Sequence, residues 1–439
     1  MYLYPKTECF VYKLCLMIAP ARGFPYSLSM ALPALRNVDV TPVEQDGETV
    51  ICLRDPDGFV EEQIALSPPA FFIATCLDGT TDVVDIQQAF ARQFQGVLVM
   101  SEDILKIVEQ LDEIGFLLTD RFFVRAKEIA GAFFRAETRP AYISGASYPS
   151  EPEELRSFLD GLFMRDGAPG ELPGTVCGEG PPARCAIVPH IDFQRGGAVY
   201  AHGYLGLFRQ GKPKTVILFG VAHASPDVPY ILTRKHFATP FGILETDRGL
   251  VERLAATCDW NPFEYEIVHR TEHSIEFQAV MLAYLYGTDI RIVPILCGPL
   301  AERPERAGSK EFARVAAFLD TCREIAALPE NRVAVVAGAD LAHVGRRFGD
   351  DFDIDVEVVR RVETRDREDL AFATAADPEG FYRSVVKDAN RRNVCGLVCI
   401  YSALKAVQGV AGNGRILDYS YAPDPAGGIV SFASVLLSR

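Results

Sequence analysis

The chain has 439 residues, 49% of them hydrophobic and 23% charged, with a formal net charge of −15 at pH 7. A chain this long exceeds what one core ordinarily supports, so two domains and a connector are expected. The composition is that of a globular protein rather than a disordered or fibrous one, and the absence of any run of eighteen uncharged apolar residues argues against a membrane span. Eleven cysteines are scattered without the spacing of a disulfide framework, which fits a reducing compartment and a cytoplasmic protein. Charge and imidazoles are unevenly spread. Between Ala31 and Asp120 there are four Lys/Arg against seventeen Asp/Glu, a balance of −13, whereas all seven histidines lie between His190 and His343. An acidic, histidine-free part and a histidine-bearing part mark a domain boundary.

In chain order, residues 1–29 contain FVYKLCLMIAPA (Phe10–Ala21), an apolar stretch like a signal-peptide core, but Lys13 interrupts it and no basic segment precedes it. An N-terminal extension or a misassigned start is expected there. A first domain follows over 30–125. Thr49–Arg54 and Gln63–Leu66 flank Asp55-Pro56-Asp57-Gly58, which predicts a β-hairpin. Ser67-Pro68 opens a helix that stops at Asp78-Gly79. Thr80 or Thr81 caps a second helix, and Ser101 opens a third with Ile104, Val108 and Leu111 at helical spacing. Gly115 ends it, and FLLTDRFF is expected to supply a closing strand.

This order is that of a small winged-helix-like α+β unit. The motifs DGE, L-x-DP-x-G, LS, DGTT and the final IGFL resemble those of the PqqD-like, peptide-recognising winged-helix domains. The resemblance implies a domain that holds a peptide or docks a partner enzyme; the alternative is a purely structural appendage. Nucleic acid is excluded on charge, because binding needs Lys/Arg to neutralise phosphates and this domain carries −13.

A connector over 126–138, helical in part, leads to a second domain over 139–439. An apolar helix face is predicted at Leu155, Phe158, Leu159 and Leu162, followed by a Gly/Pro-rich loop over 166–184. Strands and helices then alternate, the signature of a mainly parallel α/β domain. Three short apolar runs end in polar, metal-competent residues: Cys185–Val188 before Pro189-His190, Thr215–Gly220 before His223, and Val333–Ala337 before Asp340 and His343. Ligands collect beyond the carboxyl ends of such strands. One histidine past a strand is ordinarily a structural residue; two in equivalent positions form a site signal, because neutral imidazole is the commonest side-chain metal ligand.

Thr271-Glu272-His273-Ser274 opens an almost wholly apolar helix, where Glu272 has three readings: a general base, an orienter of another group, or a cap. If the Asp340–His343 turn is helical, both side chains face one way and the carboxylate can fix the imidazole tautomer. Cys395 begins another apolar helix, a position that favours thiolate and suits a ligand or nucleophile; Cys399, one turn on, reads as core. No Walker A, GxGxxG, GxSxG or CxxC sequence is present.

The motifs SGASYP, VPHIDFQRGG, FGVAH, ATPFGILETD, TEHSIEFQ, VPILCG, GADLAHVGRRFG and NVCGLVCI, in that order, resemble the Memo family, also named AmmeMemoRadiSam system protein B. The resemblance implies a fold similar to the class III extradiol dioxygenases, which are non-haem iron enzymes. It also implies a metal pocket of His190, His223 and Cys395, with Asp340 and His343 completing it and His343 where those enzymes keep an acid/base histidine. Iron or copper is the expected ion, with zinc the alternative; Cys395 in place of a carboxylate shifts preference toward softer ions. Asp192 is a candidate further ligand, and Glu272 and His273 are candidates for proton transfer. The family name implies a radical-SAM partner. Three functions follow: a metal-dependent, dioxygenase-like redox enzyme, a non-catalytic peptide- or metal-binding scaffold, or a metal-assisted hydrolase.

Overall fold

The computed structural model describes residues 30–45, 47–174, 177–224, 226–300, 310–328, 332–424 and 426–438. The expectation for residues 1–29 lies outside these. The described residues form two compact units, one ending at Arg135 and the other beginning at Ala136. Among them, no helix is long and apolar enough to cross a membrane.

The first unit holds an antiparallel sheet of β1 (Asp39–Gln45), β2 (Glu48–Arg54) and β3 (Ile64–Leu66). The expected hairpin is β2–β3, with Leu53 opposite Ile64. Its turn is held by Asp55, whose carboxylate accepts from the amides of Asp57, Phe59 and Val60 and from the Arg36 guanidinium. Four helices follow: α1 (Pro68–Thr75), α2 (Val83–Gln93), α3 (Ser101–Ile114) and α4 (Asp120–Arg135). Ser67 caps α1 as expected, but the cap of α2 is Asp82, paired reciprocally with Asp85, rather than either threonine. Gly115, at φ 99°, ends α3 in the left-handed conformation that glycine adopts without strain.

The closing strand expected at FLLTDRFF does not form. Only Leu117 bridges to Leu35, and Asp120 already begins α4. Thr119 accepts from the Phe122 and Phe123 amides, and Phe122, Ala126, Ala130 and Phe133 bury one face of the helix. A 3.6-residue period therefore overrides a run of β-favouring aromatics. Residues 126–135, within the expected connector, continue this helix.

The second unit is a mixed α/β layer structure. Its strands are β4 (Thr138–Arg139), β5 (Cys185–Val188), β6 (Thr215–Val221), β7 (Tyr230–Leu232), β8 (His236–Thr239), β9 (Gly242–Thr246), β10 (Arg291–Cys297), β11 (Val333–Gly338), β12 (His343–Gly345), β13 (Gly414–Asp424) and β14 (Gly428–Leu437). Its helices are α5 (Pro152–Met164), α6 (Phe193–Phe208), α7 (Arg248–Ala255), α8 (His273–Tyr286), α9 (Lys310–Ala327), α10 (Val356–Thr374), α11 (Pro378–Val386) and α12 (Leu397–Val407). All eleven strands join one sheet, whose centre runs β5-β11-β6-β10-β9 with every pairing parallel. Antiparallel strands finish both margins.

The central strands are buried on both faces. Ile217 and Phe219 pack on one side of β6 with α9 and α12, and Val216 and Leu218 on the other with α6 and α8. Burying each such side chain contributes about 1.5–3 kcal/mol. The order β5-β11-β6 matters most, because it sets the three strands with polar tips side by side and pointing the same way.

Candidate metal centre

His190 follows β5, Asp340 follows β11 and His223 follows β6, so these residues meet at one edge of the sheet. The N-terminus of α8 approaches the same edge and adds Glu272 and His273. It can come close because Gly338 has no Cβ: one placed there would lie 2.7 Å from the Ser274 carbonyl oxygen and the Gln278 amide nitrogen. Gln278 in turn donates to the carbonyl of Pro189, and Ser274 to that of Val221, tying α8 to the ends of both histidine-bearing strands.

One ring nitrogen from each of His190, His223 and His273 lies within 4.8 Å of the others, and these three are the metal-capable cluster among the described residues. The hydrogen bonds orient the rings. His190 Nδ1 donates to the Gly338 carbonyl at 2.9 Å, and His223 Nδ1 donates to the Glu272 carboxylate at 3.0 Å. His273 Nδ1 lies 3.4 Å from the same carboxylate. With Nδ1 of His190 and His223 engaged by an acceptor, Nε2 is the nitrogen each would offer a ligand, the arrangement that carboxylate- or carbonyl-backed histidines adopt around metals.

Glu272 is therefore an orienter and a cap at once. Its side chain is 4% exposed, and it also accepts from the amides of Ser274 and His223. Burial would raise its pKa, but His223, His273 and the Ser274 amide outweigh that and hold the carboxyl well below its ordinary value. His223 shows the reciprocal effect: burial opposes its charging, yet the adjoining carboxylate raises its pKa. Burial lowers the pKa values of His190 and His273, which favours the neutral form of both rings, the form that ligates a metal. His223 and His273 keep 40% and 36% side-chain exposure, which makes the pocket open on their side.

Cys395 approaches His190, its Sγ 3.4 Å from His190 Nε2 and 3.8 Å from the Asp340 carbonyl oxygen. It precedes α12, whose cap is Gly396, so it lies just outside the helix rather than in its first turn. The expected lowering of its pKa does not occur. Burial, then the Asp340 carboxylate, push the thiol well above its ordinary value, and a bound cation would be needed to favour thiolate. Cys399 is core, as expected.

The Asp340–His343 turn is not helical, since His343 enters β12 opposite Val430. Asp340 consequently orients the other histidine segment: its Oδ1 accepts from the amides of His190 and Ile191, and its Oδ2 lies 3.6 Å from His190 Nε2. His343 Nδ1 instead donates to the Leu341 carbonyl at 3.2 Å, and its ring meets Phe348 edge-on. Burial lowers its pKa. Asp192, the candidate further ligand, is engaged elsewhere: it caps α6 through the Arg195 amide and pairs with the Arg195 guanidinium at 2.6 Å.

Two buried charge groups escape the sequence reading. Arg139, fully buried, pairs with Glu276 at 2.6 Å and donates to the carbonyls of His269 and Glu272, fixing the turn into α8. Glu276 also accepts from Tyr148, in the SGASYP segment, and from the amides of Tyr142 and Ile143 just before it. The available signal is a Glu and a Gln inside an otherwise apolar helix. Arg392, paired with Asp366 and Asp369, has no such signal, because its partners lie 26 and 23 residues away.

The profile of the family described as Memo-like protein matches residues 139–436. The chain belongs to the Memo family. A MEMO1 family protein of Aquifex aeolicus is 27% identical over 406 residues, covering 92% of this chain and 99% of that relative. Another from Methanopyrus kandleri is 29% identical over 311 residues, covering 69% and 99%, and one from Thermus thermophilus is 30% identical over 264 residues, covering 60% and 72%. The Aquifex alignment is longer than the second unit and so extends into the first. The Methanopyrus alignment takes in nearly all of a relative about as long as the second unit alone.

Proposed function

We propose that this Memo-family protein is a metal-dependent redox enzyme acting on a small or peptide-borne substrate. The observation that carries this is the trio of imidazoles at one sheet edge, with a ring nitrogen of each within 4.8 Å of the others and the Nδ1 of His190 and His223 engaged by a carbonyl and a carboxylate. His190 and His223 would hold the ion, with Cys395 or His273 to complete the set. Two or three imidazoles suit iron, copper or zinc, and a soft thiol favours copper or zinc over magnesium or calcium. When bound, iron or copper would supply one-electron chemistry toward oxygen or substrate. His343 is the acid/base candidate: its Nδ1 is occupied by Leu341, leaving Nε2 to accept or return a proton. Asp340 would keep His190 in place through its backbone.

Metal analysis of protein purified without oxygen should find close to one iron or copper per chain. The pair His190→Ala with His223→Ala should reduce this to background, and unchanged metal content would remove the pocket from consideration. Oxygen consumption with catechol-type substrates tests dioxygenase-like turnover. Stoichiometric zinc with no oxygen consumption would favour the hydrolase reading, and metal without turnover the scaffold reading.

A second reading concerns the first unit, as a PqqD-like domain docking a basic peptide or a radical-SAM partner. In its favour, β3 is the edge of its sheet, and a groove beside it is lined by Ile64, Ala65, Leu66, Gln110, Glu113 and Ile114. An open strand edge offers unpaired backbone groups to an extended peptide, and the −13 balance favours a basic one. Ala65→Pro, which blocks the ladder, should abolish capture of such a partner by the full chain; undiminished capture would rule this edge out.

A further inference from the structure

The segment that delivers Cys395 has an unusual backbone. Between Val386 and Gly396, three non-glycine residues, Ala389, Asn390 and Asn393, have φ values of 61°, 52° and 47°. Left-handed backbone is disfavoured for side chains with a Cβ, and such clusters persist only where surrounding structure holds them. Local bonds do part of this, since Asn390 Oδ1 accepts from the Val394 amide at 2.9 Å. The larger constraint comes from Arg392. Its guanidinium bonds Asp366 through one terminal nitrogen and Asp369 through the other, both carboxylates lying on α10 and nearly fully buried.

Two sides of the pocket converge on this guanidinium. On one, the Arg392 carbonyl accepts from the His343 amide at 2.7 Å, and the neighbouring Asn393 side chain donates to the His343 carbonyl at 3.2 Å. On the other, Asp366 accepts from Ser431 Oγ at 2.5 Å and from Tyr419, while Ser431 Oγ accepts from the Ala342 amide and the Ser431 carbonyl from the Leu341 amide. The Asp340–His343 segment is thus held from both ends by groups that meet at Asp366 and Arg392. Gly396 then lets the Cys395 segment close on it: a Cβ there would lie 2.4 Å from the Asp340 carbonyl oxygen.

We infer that Arg392 is a positioning residue of the pocket, its guanidinium clamped by Asp366 and Asp369 so that one strained segment sets both Cys395 and His343. The inference rests on the metal-pocket reading for its significance, but its geometry can be tested without metal. Lysine keeps the charge of arginine and loses the fork that spans two carboxylates, so Arg392→Lys is the first variant. Asp369→Asn, which releases one arm and leaves Asp366 in place, is the second and carries the test if the first does not fold.

The metal-free readout is alkylation of Cys395 by iodoacetamide, followed by peptide mass spectrometry with the buried Cys399 as internal reference. Cys395 should react several-fold faster in the variant while Cys399 stays protected. The metal readout uses Co(II): the wild type should show a thiolate-to-cobalt charge-transfer band that Cys395→Ser abolishes, and the variant should lose most of it with affinity weakened about 10–100-fold. Unchanged Cys395 alkylation, or an equal rise at Cys399 that reports general loosening, would overturn the inference. A wild type that takes up no Co(II), with selective Cys395 alkylation still seen, would sink the metal reading and leave the positioning role standing.

Discussion

At the scale of single residues, the pocket is a matter of which nitrogen faces which acceptor. Glu272 serves two histidines with one carboxylate, at 3.0 Å and 3.4 Å. Glu272→Gln keeps the shape and removes the charge, so the amide can place an N–H where an acceptor is needed. We expect metal affinity to fall about 10–100-fold, measured by competition with a chromophoric chelator; an unchanged Kd would mean the carboxylate is only a helix cap.

His269 offers a separate residue-scale prediction. It is buried, donates from Nε2 to the Ile231 carbonyl, and has no hydrogen-bond partner at Nδ1 among the described residues. Burial lowers its pKa from 6.5 to about 3. The unfolded chain therefore takes up a proton at this site below pH 6.5 that the folded chain refuses until about pH 3, so stability falls as pH drops through that window. The His269 contribution to the slope is about 1.4 kcal/mol per pH unit. His269→Gln should flatten the dependence of urea-unfolding free energy on pH between 6 and 4; a slope equal to that of the wild type would contradict the assignment.

At the scale of elements, α8 does two jobs. Its apolar face fills the core beneath the sheet, and its first turn carries the pocket's carboxylate and third imidazole. The Arg139–Glu276 pair joins these jobs, because the guanidinium that neutralises Glu276 also holds the carbonyl of Glu272. Arg139→Met would leave a buried carboxylate without its cation, and we expect a loss of about 3–5 kcal/mol in urea unfolding. Replacing both partners, Arg139→Met with Glu276→Leu, should recover part of that. If the double variant is as unstable as the single one, the cost arises from lost packing and not from the uncompensated charge.

At the scale of the whole molecule, each member of the proposed metal set lies after Ala136, in the second unit. The Methanopyrus relative, nearly all of which aligns over 311 residues, is in keeping with a second unit that stands alone. A chain beginning at Ala136 should therefore retain the metal stoichiometry of the full protein; a folded truncated chain without metal would show that the first unit contributes to the site.

Several features were legible without a fold. Three apolar runs ending in His190, His223 and Asp340 announce themselves through length, bounding Gly and Pro, and polar tips. The division between the acidic part and the histidine-bearing part is a matter of counting. The first-unit hairpin follows from Asp55-Pro56-Asp57-Gly58, because turn chemistry is local. The misreadings also have local causes. FLLTDRFF has β-favouring residues and a helical period, and burial of Phe122 and Phe133 decides for the helix. Asp340 and His343 share a face only if the turn is helical, and the pairing of β12 with β14 makes it extended.

What the sequence by itself determined is the set of strand tips, the family motifs and the charge division, all carried by residues close together in the chain. Only the tertiary structure decided which tips are neighbours. The order β5-β11-β6 brings His190, Asp340 and His223 to one edge, α8 swings His273 in as the third imidazole, and Cys395 reaches His190 from 205 residues away. The clamp at Arg392 belongs to the same class. Periodicity along a chain encodes which face a residue occupies, whereas the meeting of distant residues depends on strand order and helix approach, which are settled by packing the core.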